Sequence, residues 1–363
     1  MTVEFQRAIP GAVVDDRGLA HLGAPLREQR DLAAGRALAP LGDRTVLAVD
    51  GPDRLSWLDS ITSQAVATLP PGESTELLVL DPQGHVEHAA AIVDDGERAW
   101  LIVDGERAAT LFAWLNRMRF RLRVEVQDLS GGTHVVGGTA DAVAALSALA
   151  VWRDPWPGVA VGGWGYAAAD PHPGAGRDWV EAVVDDAEFA RIVGAAASGD
   201  RILAGRIAAD ALRIAAWRPR AVAEGADGRL LPHEADWLRT AVHLDKGCYR
   251  GQETVAKVHN LGHPPRRLAF LQLDGSEAQS PAPGADVFSG DDVVGTVTSV
   301  ARHYEEGPIA LALLKRAVPI DAQLTVAVDD ARIAAAQEVI VPPDAGRVAS
   351  VPRMPRLGRR TEQ

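Results

Sequence analysis

The sequence uses cysteine once in 363 residues, at Cys248. A single cysteine permits no disulfide within the chain, which indicates a reducing compartment. It also excludes an iron–sulfur cluster held by this chain alone, because such clusters usually need about four thiolates. The histidines at 233, 243, 259 and 263 have no metal-binding spacing beside a second cysteine, whereas a zinc site needs about four ligands. We therefore expect no stably bound metal.

Positive charge and long apolar runs are scarce as well. Lys and Arg number 37 against 49 Asp and Glu, which gives a net charge of -12. This balance argues against non-specific nucleic-acid binding, which needs a basic surface, but a local basic pocket could still bind a small anion. No stretch approaches the ~20 apolar residues that span a membrane, and "MTVEFQRAIPGAVVDDRG" lacks the pattern of a secretory signal. We expect a cytoplasmic protein that binds neither nucleic acid nor membrane.

Nor is there a glycine-rich phosphate loop, since "GGTHVVGG" lacks the Lys-Ser/Thr ending and the dinucleotide spacing. Residues 75–118 instead predict three strands joined by tight turns, followed by a helix from about Glu106. Residues 45–49 predict a strand, and Asp53 is the expected N-cap of the next helix. Antiparallel strands followed by helices are typical of an α+β fold, not of a doubly wound parallel sheet.

The predicted secondary structure of the chain changes near Pro264. Before it, helices are predicted over 185–199, closed by a glycine, and over about 204–212. After it, short β-rich runs separated by turns predict a small barrel. We therefore expect two α+β subdomains in residues 15–262, a C-terminal β-barrel in 264–345, and a disordered tail in 346–363, for which a basic docking role is the alternative.

The single cysteine lies in "HLDKGCYRGQETVAKVHNLG", residues 243–262. Most unpaired cysteines are inert and buried, so a packed sulfur is one interpretation. Gly247 and Gly251 indicate instead a tight backbone path that presents the sulfur. The N-terminus of a helix predicted over about 250–259, together with the Lys246 ammonium, would favour a thiolate. Both interpretations stay open on chemistry alone.

Within this stretch, "KGCYRGQE" resembles the YgfZ family signature Lys-Gly-Cys-Tyr-x-Gly-Gln-Glu, with all seven defined positions present. The segments "VLAVDGPDRLSWLDSITSQAV", "LLVLDPQGHV", "ALRIAAWRPR" and "LPHEADWL" are similar to other parts of that family, so the resemblance covers roughly residues 15–345. It implies a folate-binding protein that helps to make or maintain iron–sulfur enzymes. It also implies the fold of the glycine cleavage T-protein, a tetrahydrofolate-dependent aminomethyltransferase: two α+β subdomains plus a C-terminal β-barrel.

The resemblance further implies roles for individual residues. Cys248 would be the reactive thiol, and Lys246 would bias it toward thiolate. The residues implied in binding tetrahydrofolate or a derivative are Arg213, Glu234, Gly247, Tyr249, Gly251, Gln252, Glu253 and Lys257. A surface salt bridge is the alternative for Arg213, and satisfaction of the helix dipole is the alternative for Glu253. We expect Arg213, the "LPHE" stretch and the 246–253 loop to border one central pocket.

Three departures from the related enzymes bear on function. Those enzymes carry an acidic pair after the hairpin turn, and the comparable stretch here is Glu87, His88 and Ala89. They also have a glutamate that holds the pterin where this chain has Ala215, for which Glu224 or Glu234 could substitute. Lys257 stands where the signature commonly continues with an arginine, so a bidentate fork is lost.

The missing acids favour an accessory protein for iron–sulfur enzyme biogenesis or repair over a conventional enzyme. Its expected partners are a folate, iron–sulfur assembly proteins and client enzymes. One alternative is a tetrahydrofolate-dependent one-carbon transferase with His88 or Glu87 as base. The other is a non-catalytic interaction scaffold, which predicts no measurable folate affinity.

Overall fold

The computed structural model describes residues 6–349 except 8, 277 and 278, so residues 350–363 of the predicted tail lie outside it. The described chain forms a two-stranded hairpin, two five-stranded sheets and a closed six-stranded barrel. The strands before the barrel are β1 (Val13–Asp15), β2 (Gly18–His21), β3 (Ala37–Pro40), β4 (Arg44–Asp50), β5 (Ser74–Leu80), β6 (Val86–Asp94), β7 (Arg98–Asp104), β8 (Glu125–Asp128), β9 (Thr133–Gly138), β10 (Ala150–Arg153), β11 (Val180–Asp185) and β12 (Ile202–Leu203).

The barrel strands are β13 (Arg266–Leu273), β14 (Asp286–Ser289), β15 (Asp292–His303), β16 (Gly307–Lys315), β17 (Leu324–Val328) and β18 (Ala331–Val339). The helices are α1 (Pro25–Ala33), α2 (Arg54–Ile61), α3 (Gly105–Met118), α4 (Ala140–Val143), α5 (Asp186–Ser198), α6 (Arg206–Ala215), α7 (Ala221–Glu224), α8 (Leu238–Ala241) and α9 (Gln252–Leu261), with a 3₁₀ helix at Pro232–Ala235. No helix of the described residues is long and apolar enough to cross a membrane.

The first sheet has the order β5-β6-β7-β4-β8 and is antiparallel throughout. One face packs against α2 and α3 through a core that includes Trp57, Ile92 and Leu115. The predicted strands and turns of this region are confirmed. Asp53 does occupy the N-cap position of α2, but its side chain makes no capping bond. The carboxylate instead pairs with Arg123 at 2.6 Å. The predicted N-cap position is therefore confirmed, but the side chain does not cap the helix.

The second sheet has the order β10-β11-β9-β3-β12, with β12 parallel to β3 and the other pairs antiparallel. Helix α5 packs on this sheet through Phe189 and Ile192. It ends at Gly199, whose φ of 85° is the left-handed conformation that glycine adopts without strain. The predicted glycine stop is therefore confirmed.

The barrel closes in the order β13-β16-β15-β14-β17-β18, which confirms the predicted α+β fold with a barrel. One hydrophobic core joins it to the rest of the molecule. Leu78 from the first sheet, Trp237 from the segment before α8 and Phe270 from the barrel all belong to that core. The three parts of the chain therefore meet around a common centre, where cavities form between them.

Candidate functional site

Cys248 lies on the loop that joins α8 to α9. It is a free cysteine and it is exposed, so the predicted access to the thiol is confirmed and the packed-sulfur interpretation is wrong. Helix α9 begins at Gln252, two residues after the predicted start. The sulfur-bearing residue therefore precedes a helix N-terminus, as the sequence pattern predicted.

Lys246 clamps this loop to the end of α2. Its Nζ donates hydrogen bonds to the backbone oxygens of Asp59, Thr62 and Gln64 at 2.5, 3.0 and 2.8 Å. The side chain is only 3% exposed, and the Asp59 carboxylate lies 3.4 Å from the ammonium. Burial lowers the pKa of Lys246, and Asp59 partly offsets that effect. Because an ammonium has about three N–H donors, none remains for the Cys248 sulfur. The predicted bias of the thiol toward thiolate by the charge of Lys246 stays a prediction.

The two glycines that flank the cysteine differ in their roles. Gly251 has a φ of 84°, and a Cβ there would lie 2.6 Å from the Asp81 oxygen in the β5–β6 turn. Gly251 is therefore required for close packing and for backbone conformation. Gly247 has no atom within 4 Å of its would-be Cβ and no left-handed φ. The prediction that both glycines force a tight path is thus right for Gly251 and wrong for Gly247.

Two of the other residues predicted around the loop, Tyr249 and Gln252, help to hold it, and two are exposed. Tyr249 is buried in the central core, and burial raises its pKa. The Gln252 side-chain amide donates to the Lys246 backbone oxygen at 3.3 Å. Glu253 and Lys257 are exposed on α9. Glu253 is an acid in the first turn, the position at which the helix dipole favours it.

Arg213 is buried between α6 and the barrel, so the surface alternative for this residue is wrong. Its guanidinium donates to the Asp210 carboxylate at 2.7 Å, the Arg218 backbone oxygen at 2.8 Å and the Ser299 hydroxyl at 2.9 Å. Glu224 lies 3.6 Å away. These partners make Arg213 a link between α6 and β15, and it also borders the cavities described below.

Glu234 is fully buried, and its carboxylate binds Arg266 of the barrel. Its carboxylate accepts from the Arg266 backbone N–H at 3.1 Å and from the Arg266 guanidinium at 3.0 and 2.8 Å. It also accepts from the Leu231 N–H within the 3₁₀ helix. Glu234 therefore fastens the "LPHE" segment to β13, and its carboxylate contacts Arg266 and Leu231 in place of the predicted cofactor.

A cavity of about 90 Å³ lies between the two sheets, α6 and the segment at Trp237. None of its lining residues comes from the "LPHE" stretch or from the 246–253 loop. The prediction that these parts and Arg213 border one pocket is therefore wrong, since only Arg213 lines this cavity. Its walls carry matched charges: the cations Arg44, Arg177, Arg206, Arg213, Arg218 and Arg220, and the anions Asp43, Glu76, Asp104, Asp154, Glu181 and Asp210.

Most of these charges pair with one another. Arg44 and Arg220 both bind Asp104, at 2.9 and 2.6 Å. Burial opposes ionisation of Asp104, but Arg220 and Arg44 outweigh it and hold the pKa of that carboxyl at about 2. Arg218 binds Glu76 at 2.7 Å and Asp154 at 3.2 Å. Six arginines and six carboxylates line the wall, so the cavity is polar but carries no net formal charge.

Four lining atoms of this cavity are buried without a hydrogen-bond partner among the described residues. They are Arg206 Nε, Arg218 Nη1, Trp237 Nε1 and Asp43 Oδ1. Three are donors and one is an acceptor. Buried polar atoms are costly to leave unpaired. These four atoms, on residues that line one cavity, leave hydrogen-bonding capacity for a polar group there.

Arg218 has an unusual setting within this wall. Its guanidinium carbon lies 6.0, 5.1 and 5.9 Å from the ring centres of Trp152, Trp156 and Trp237. The aromatic faces attract the cation, and the two carboxylates fix its orientation. Sequence reasoning missed Arg218, although it lies in the quoted segment "ALRIAAWRPR", residues 211–220. A buried arginine cannot be told from an exposed one by its neighbours in sequence.

Strand β6 presents no acid to the cavity. Ala89, Ala90 and Ala91 line it. Glu87 pairs with Arg250 of the cysteine loop at 2.7 Å. His88 is buried, its Nδ1 has no partner among the described residues, and burial together with Arg107 lowers its pKa to about 4.

A second cavity, of about 650 Å³, lies between α6, α7 and the barrel. It shares Arg206, Asp210, Arg213 and Arg220 with the central cavity, so the two adjoin. Glu224 lines it, but that carboxylate accepts from the Ser299 hydroxyl at 2.6 Å and from the Arg220 N–H at 2.6 Å. Neither Glu224 nor Glu234 is therefore free to replace a pterin-binding glutamate.

No group of three or more His, Cys, Asp or Glu that could hold a metal ion occurs within the described ranges.

The fold is similar to that of known proteins. Residues 266–343 match the family described as the glycine cleavage T-protein C-terminal barrel domain. The crystal structure of glycine cleavage system aminomethyltransferase T from Bartonella henselae superposes with a TM-score of 0.68 over 93% of this chain and 95% of that one, at 19% identity.

Two relatives are similar in sequence. The mitochondrial iron–sulfur cluster assembly factor IBA57 of Mus musculus is 31% identical over 126 residues, 34% of each chain. The mitochondrial IBA57 homolog of Mycosarcoma maydis is 27% identical over 274 residues, 69% of this chain and 60% of the relative. The chain thus spans about a third of the first relative and 60% of the second. These similarities confirm the predicted resemblance: the chain is similar in sequence to proteins named IBA57 and has the fold of aminomethyltransferase T.

Proposed function

We propose that this protein is a folate-binding accessory factor in the assembly or repair of iron–sulfur enzymes, and that the Cys248 thiol carries its chemistry. The observation that carries the proposal is an exposed cysteine on a loop fixed by a buried lysine clamp. A structural sulfur would be buried and would need no such clamp. The similarity to proteins named as iron–sulfur cluster assembly factors supports this choice.

Residues of this chain hold the loop that carries the Cys248 thiol in a fixed position. The Lys246 clamp and the close packing of Gly251 against the β5–β6 turn hold the loop on the body of the protein. The exposed sulfur can contact a cluster, a persulfide or a cysteine of a partner protein. A cluster, a persulfide or a partner cysteine would reach the thiol from the surface of the protein. The proposed partners are accordingly iron–sulfur assembly proteins or client enzymes.

The central cavity fits the polar ring of a tetrahydrofolate. At ~10–15 Å³ of such volume per water, about 90 Å³ corresponds to roughly six to nine waters, close to the size of a bicyclic ring. Arg218 Nη1 and Trp237 Nε1 would donate to ring acceptors, and Asp43 Oδ1 would accept from ring N–H groups. Asp43 would thereby take the role of the pterin-binding glutamate, whose position is occupied by Ala215 in this chain. A bound tetrahydrofolate would supply a reduced ring able to carry one-carbon units.

Aminomethyl transfer is disfavoured by the alanines of β6. The base would have to be Glu87 or His88. Glu87 is engaged by Arg250. His88 is not among the residues that line the cavity, and on the strand it faces the same side as Ala90, which packs in the core against α2 and α3. The scaffold alternative has no comparable support, because it leaves the four unpaired atoms of the cavity unexplained.

Complementation tests the role of the thiol. In a strain that lacks this protein, Cys248→Ala should fail to restore iron–sulfur enzyme activity, and Arg121→Ala, an exposed change after α3, should restore it. Full restoration by Cys248→Ala would remove the thiol from the mechanism.

Thermal unfolding with added tetrahydrofolate tests the ligand separately. At a concentration 100 times the dissociation constant, the ligand should stabilise the fold by about 2.7 kcal/mol. Asp43→Asn and Arg218→Lys should reduce the shift, and Arg121→Ala should not. No shift at any concentration would favour the scaffold, and turnover with an aminomethyl donor would favour the transferase.

A further inference from the structure

A third cavity, of about 270 Å³, lies beside the cysteine loop and shares no lining residue with the proposed folate cavity. We call it the Trp164 groove. Its aromatic and polar lining residues are Trp164, Asp245, Tyr249, Gln252, His259 and Asn260. Asp245, Tyr249 and Gln252 lie close to Cys248 in the sequence, on either side of it. The groove and the thiol therefore share one loop.

The wall of the groove that carries Trp164 is fixed in place. The Trp164 N–H donates to the Leu238 oxygen at 3.0 Å, and the Leu244 N–H donates to the Gly162 oxygen at 2.8 Å. The His259 ring packs edge-on against the Trp164 indole, with the ring centres 5.1 Å apart. A surface that is fixed before binding loses little conformational entropy when a ligand binds.

The Trp164 groove is acidic, whereas the other two cavities are not. Among the described residues that line it, Asp245 alone is ionised at neutral pH, because burial lowers the pKa of His259 and keeps that ring neutral. The central cavity has as many arginines as carboxylates, and the second cavity has six cations and four carboxylates. Of these three cavities, the Trp164 groove is therefore the one whose charge favours a cation.

Trp164 and Asp245 together suit the side chain of an arginine. Trp164 is 40% exposed, so a ligand can reach its indole, and Asp245 is exposed as well. An aromatic face attracts a cation, and a carboxylate binds it through charge-assisted hydrogen bonds. The planar guanidinium of arginine can both stack on an indole and bind a carboxylate.

The groove has room and polar groups for more than one side chain. At ~10–15 Å³ per water, its volume corresponds to about 18–27 waters. The Gln252 side-chain nitrogen donates to the Lys246 oxygen, which leaves Gln252 Oε1 as an acceptor. Asn260 is exposed, and its amide can both donate and accept. Such amides pair with a peptide backbone, so the occupant that fits is a short peptide segment.

We propose that the Trp164 groove binds an arginine-containing segment of a partner protein and thereby places a cysteine of that partner at Cys248. This inference rests on the proposed function, in which the thiol meets a partner cysteine. At about 3.3–3.6 Å per residue, the Cα atoms of Asp245 and Cys248 are at most about 11 Å apart, so the arginine and the cysteine of the partner lie within about four residues of each other. The net charge of -12 also favours a partner with a basic surface.

Fluorine NMR of the full chain with 5-fluorotryptophan tests the binding. The peptide acetyl-Gly-Gly-Arg-amide should shift the ¹⁹F signal of Trp164, assigned by Trp164→Phe, and spare that of Trp57, which is 2% exposed in the core of the first sheet. The same peptide with citrulline, which has the shape of arginine without its charge, should bind about 3–30-fold more weakly.

A pair of charge-matched variants locates the site. Asp245→Asn should weaken binding of the arginine peptide by about two- to fivefold. Asp141→Asn changes the net charge by the same amount at an exposed position of α4 and should leave the affinity unchanged. Equal losses in the two variants would overturn the proposal, because they would show attraction to the acidic chain as a whole.

Three other outcomes would overturn it as well. Equal affinities for the arginine and citrulline peptides would show that the groove does not select a cation. Arginine amide bound as tightly as the peptide would identify a small cation as the ligand. A Trp164 signal that shifts with protein concentration alone would identify a second copy of the chain as the occupant.

Alkylation of Cys248 tests the placement of the partner's cysteine. Peptides of the form chloroacetyl-(Gly)n-Arg-amide carry an electrophilic carbon in place of that cysteine, and attack by the sulfur forms a C–S bond and releases chloride. Labelling should saturate with peptide concentration and be fastest for spacers of about one to four glycines. Citrulline peptides should label more slowly at every spacer length. A rate that does not depend on the spacer would overturn the placement.

The two proposals fail in distinguishable ways. The Trp164 shift is also measured in Cys248→Ser, which has no thiol, and it should persist there. If Cys248→Ala restores iron–sulfur enzyme activity, the proposed function fails while the shift remains. If Cys248→Ala fails to restore activity and the peptide causes no shift, the proposed function stands and the peptide site is overturned.

Discussion

At the residue scale, the flanking glycines of the cysteine loop look equivalent in sequence and are not equivalent in structure. Gly251 needs its left-handed φ and its close contact with Asp81, and Gly247 needs neither. Gly251→Ala should lower the free energy of unfolding by about 2–4 kcal/mol, through a left-handed penalty of ~1–2 plus the clash. Gly247→Ala should change it by no more than about 0.5 kcal/mol. Urea unfolding of both variants measures the difference, and equal losses would contradict the assignment.

Lys246 gives a second prediction at this scale. Lys246→Met removes hydrogen bonds to three backbone oxygens, so we expect a loss of about 2–4 kcal/mol in the free energy of unfolding. The matched control is Lys257→Met, on an exposed position of α9, which should stay within about 0.5 kcal/mol. Both are read by urea unfolding. If Lys246→Met unfolds like the natural chain but its Cys248 labels more slowly, the lysine acts on the thiol and not as a clamp.

The limits of sequence reasoning are visible in these same residues. The exposure of Cys248 could be predicted because glycines and a following helix start are local features. The partners of Lys246 could not, because Asp59, Thr62 and Gln64 lie more than 180 residues earlier in the chain. Likewise, Glu234 was expected to bind a ligand, since nothing local identifies Arg266 as the partner that occupies it.

At the scale of elements, the helices, the hairpin and the barrel were predictable because turn residues and periodicity are local. The predicted helix start at about Ala204 lies two residues before the observed one at Arg206. What the pattern did not indicate is how elements join. One such connection is the ion pair between Glu234 in the 3₁₀ helix and Arg266 in β13. Their charged groups lie 2.8 Å apart, and the carboxylate is buried.

We expect Glu234→Gln to lower the free energy of unfolding by about 3–5 kcal/mol, because it leaves the Arg266 guanidinium without its buried partner. Asp227 also binds Arg266 but is 44% exposed, so Asp227→Asn should cost no more than about 1 kcal/mol. Chemical unfolding monitored by tryptophan fluorescence measures both. A small loss for Glu234→Gln would show that the barrel is held by its apolar contacts alone.

At the scale of the whole molecule, the three parts of the chain share a core that contains or borders buried histidines, and this predicts how stability depends on pH. Burial lowers the pKa of His233 to about 4, partly offset by its bond to the Val255 oxygen. Burial likewise lowers the pKa of His172 to about 4, with help from Arg239. His88, on the first sheet, has the same value for the reasons given above.

In the unfolded chain these histidines bind protons near pH 6.5, whereas in the folded protein they do so only near pH 4. Between those values the unfolded state binds more protons, so stability is fully present above about pH 6.5 and falls as the pH drops toward 4. Each histidine contributes up to about 1.4 kcal/mol per pH unit. His233→Gln can keep a bond to the Val255 oxygen and should reduce the slope by about that amount. Urea unfolding at pH 7, 6, 5 and 4.5 measures it, and an unchanged slope would show that His233 does not stay neutral in the folded protein.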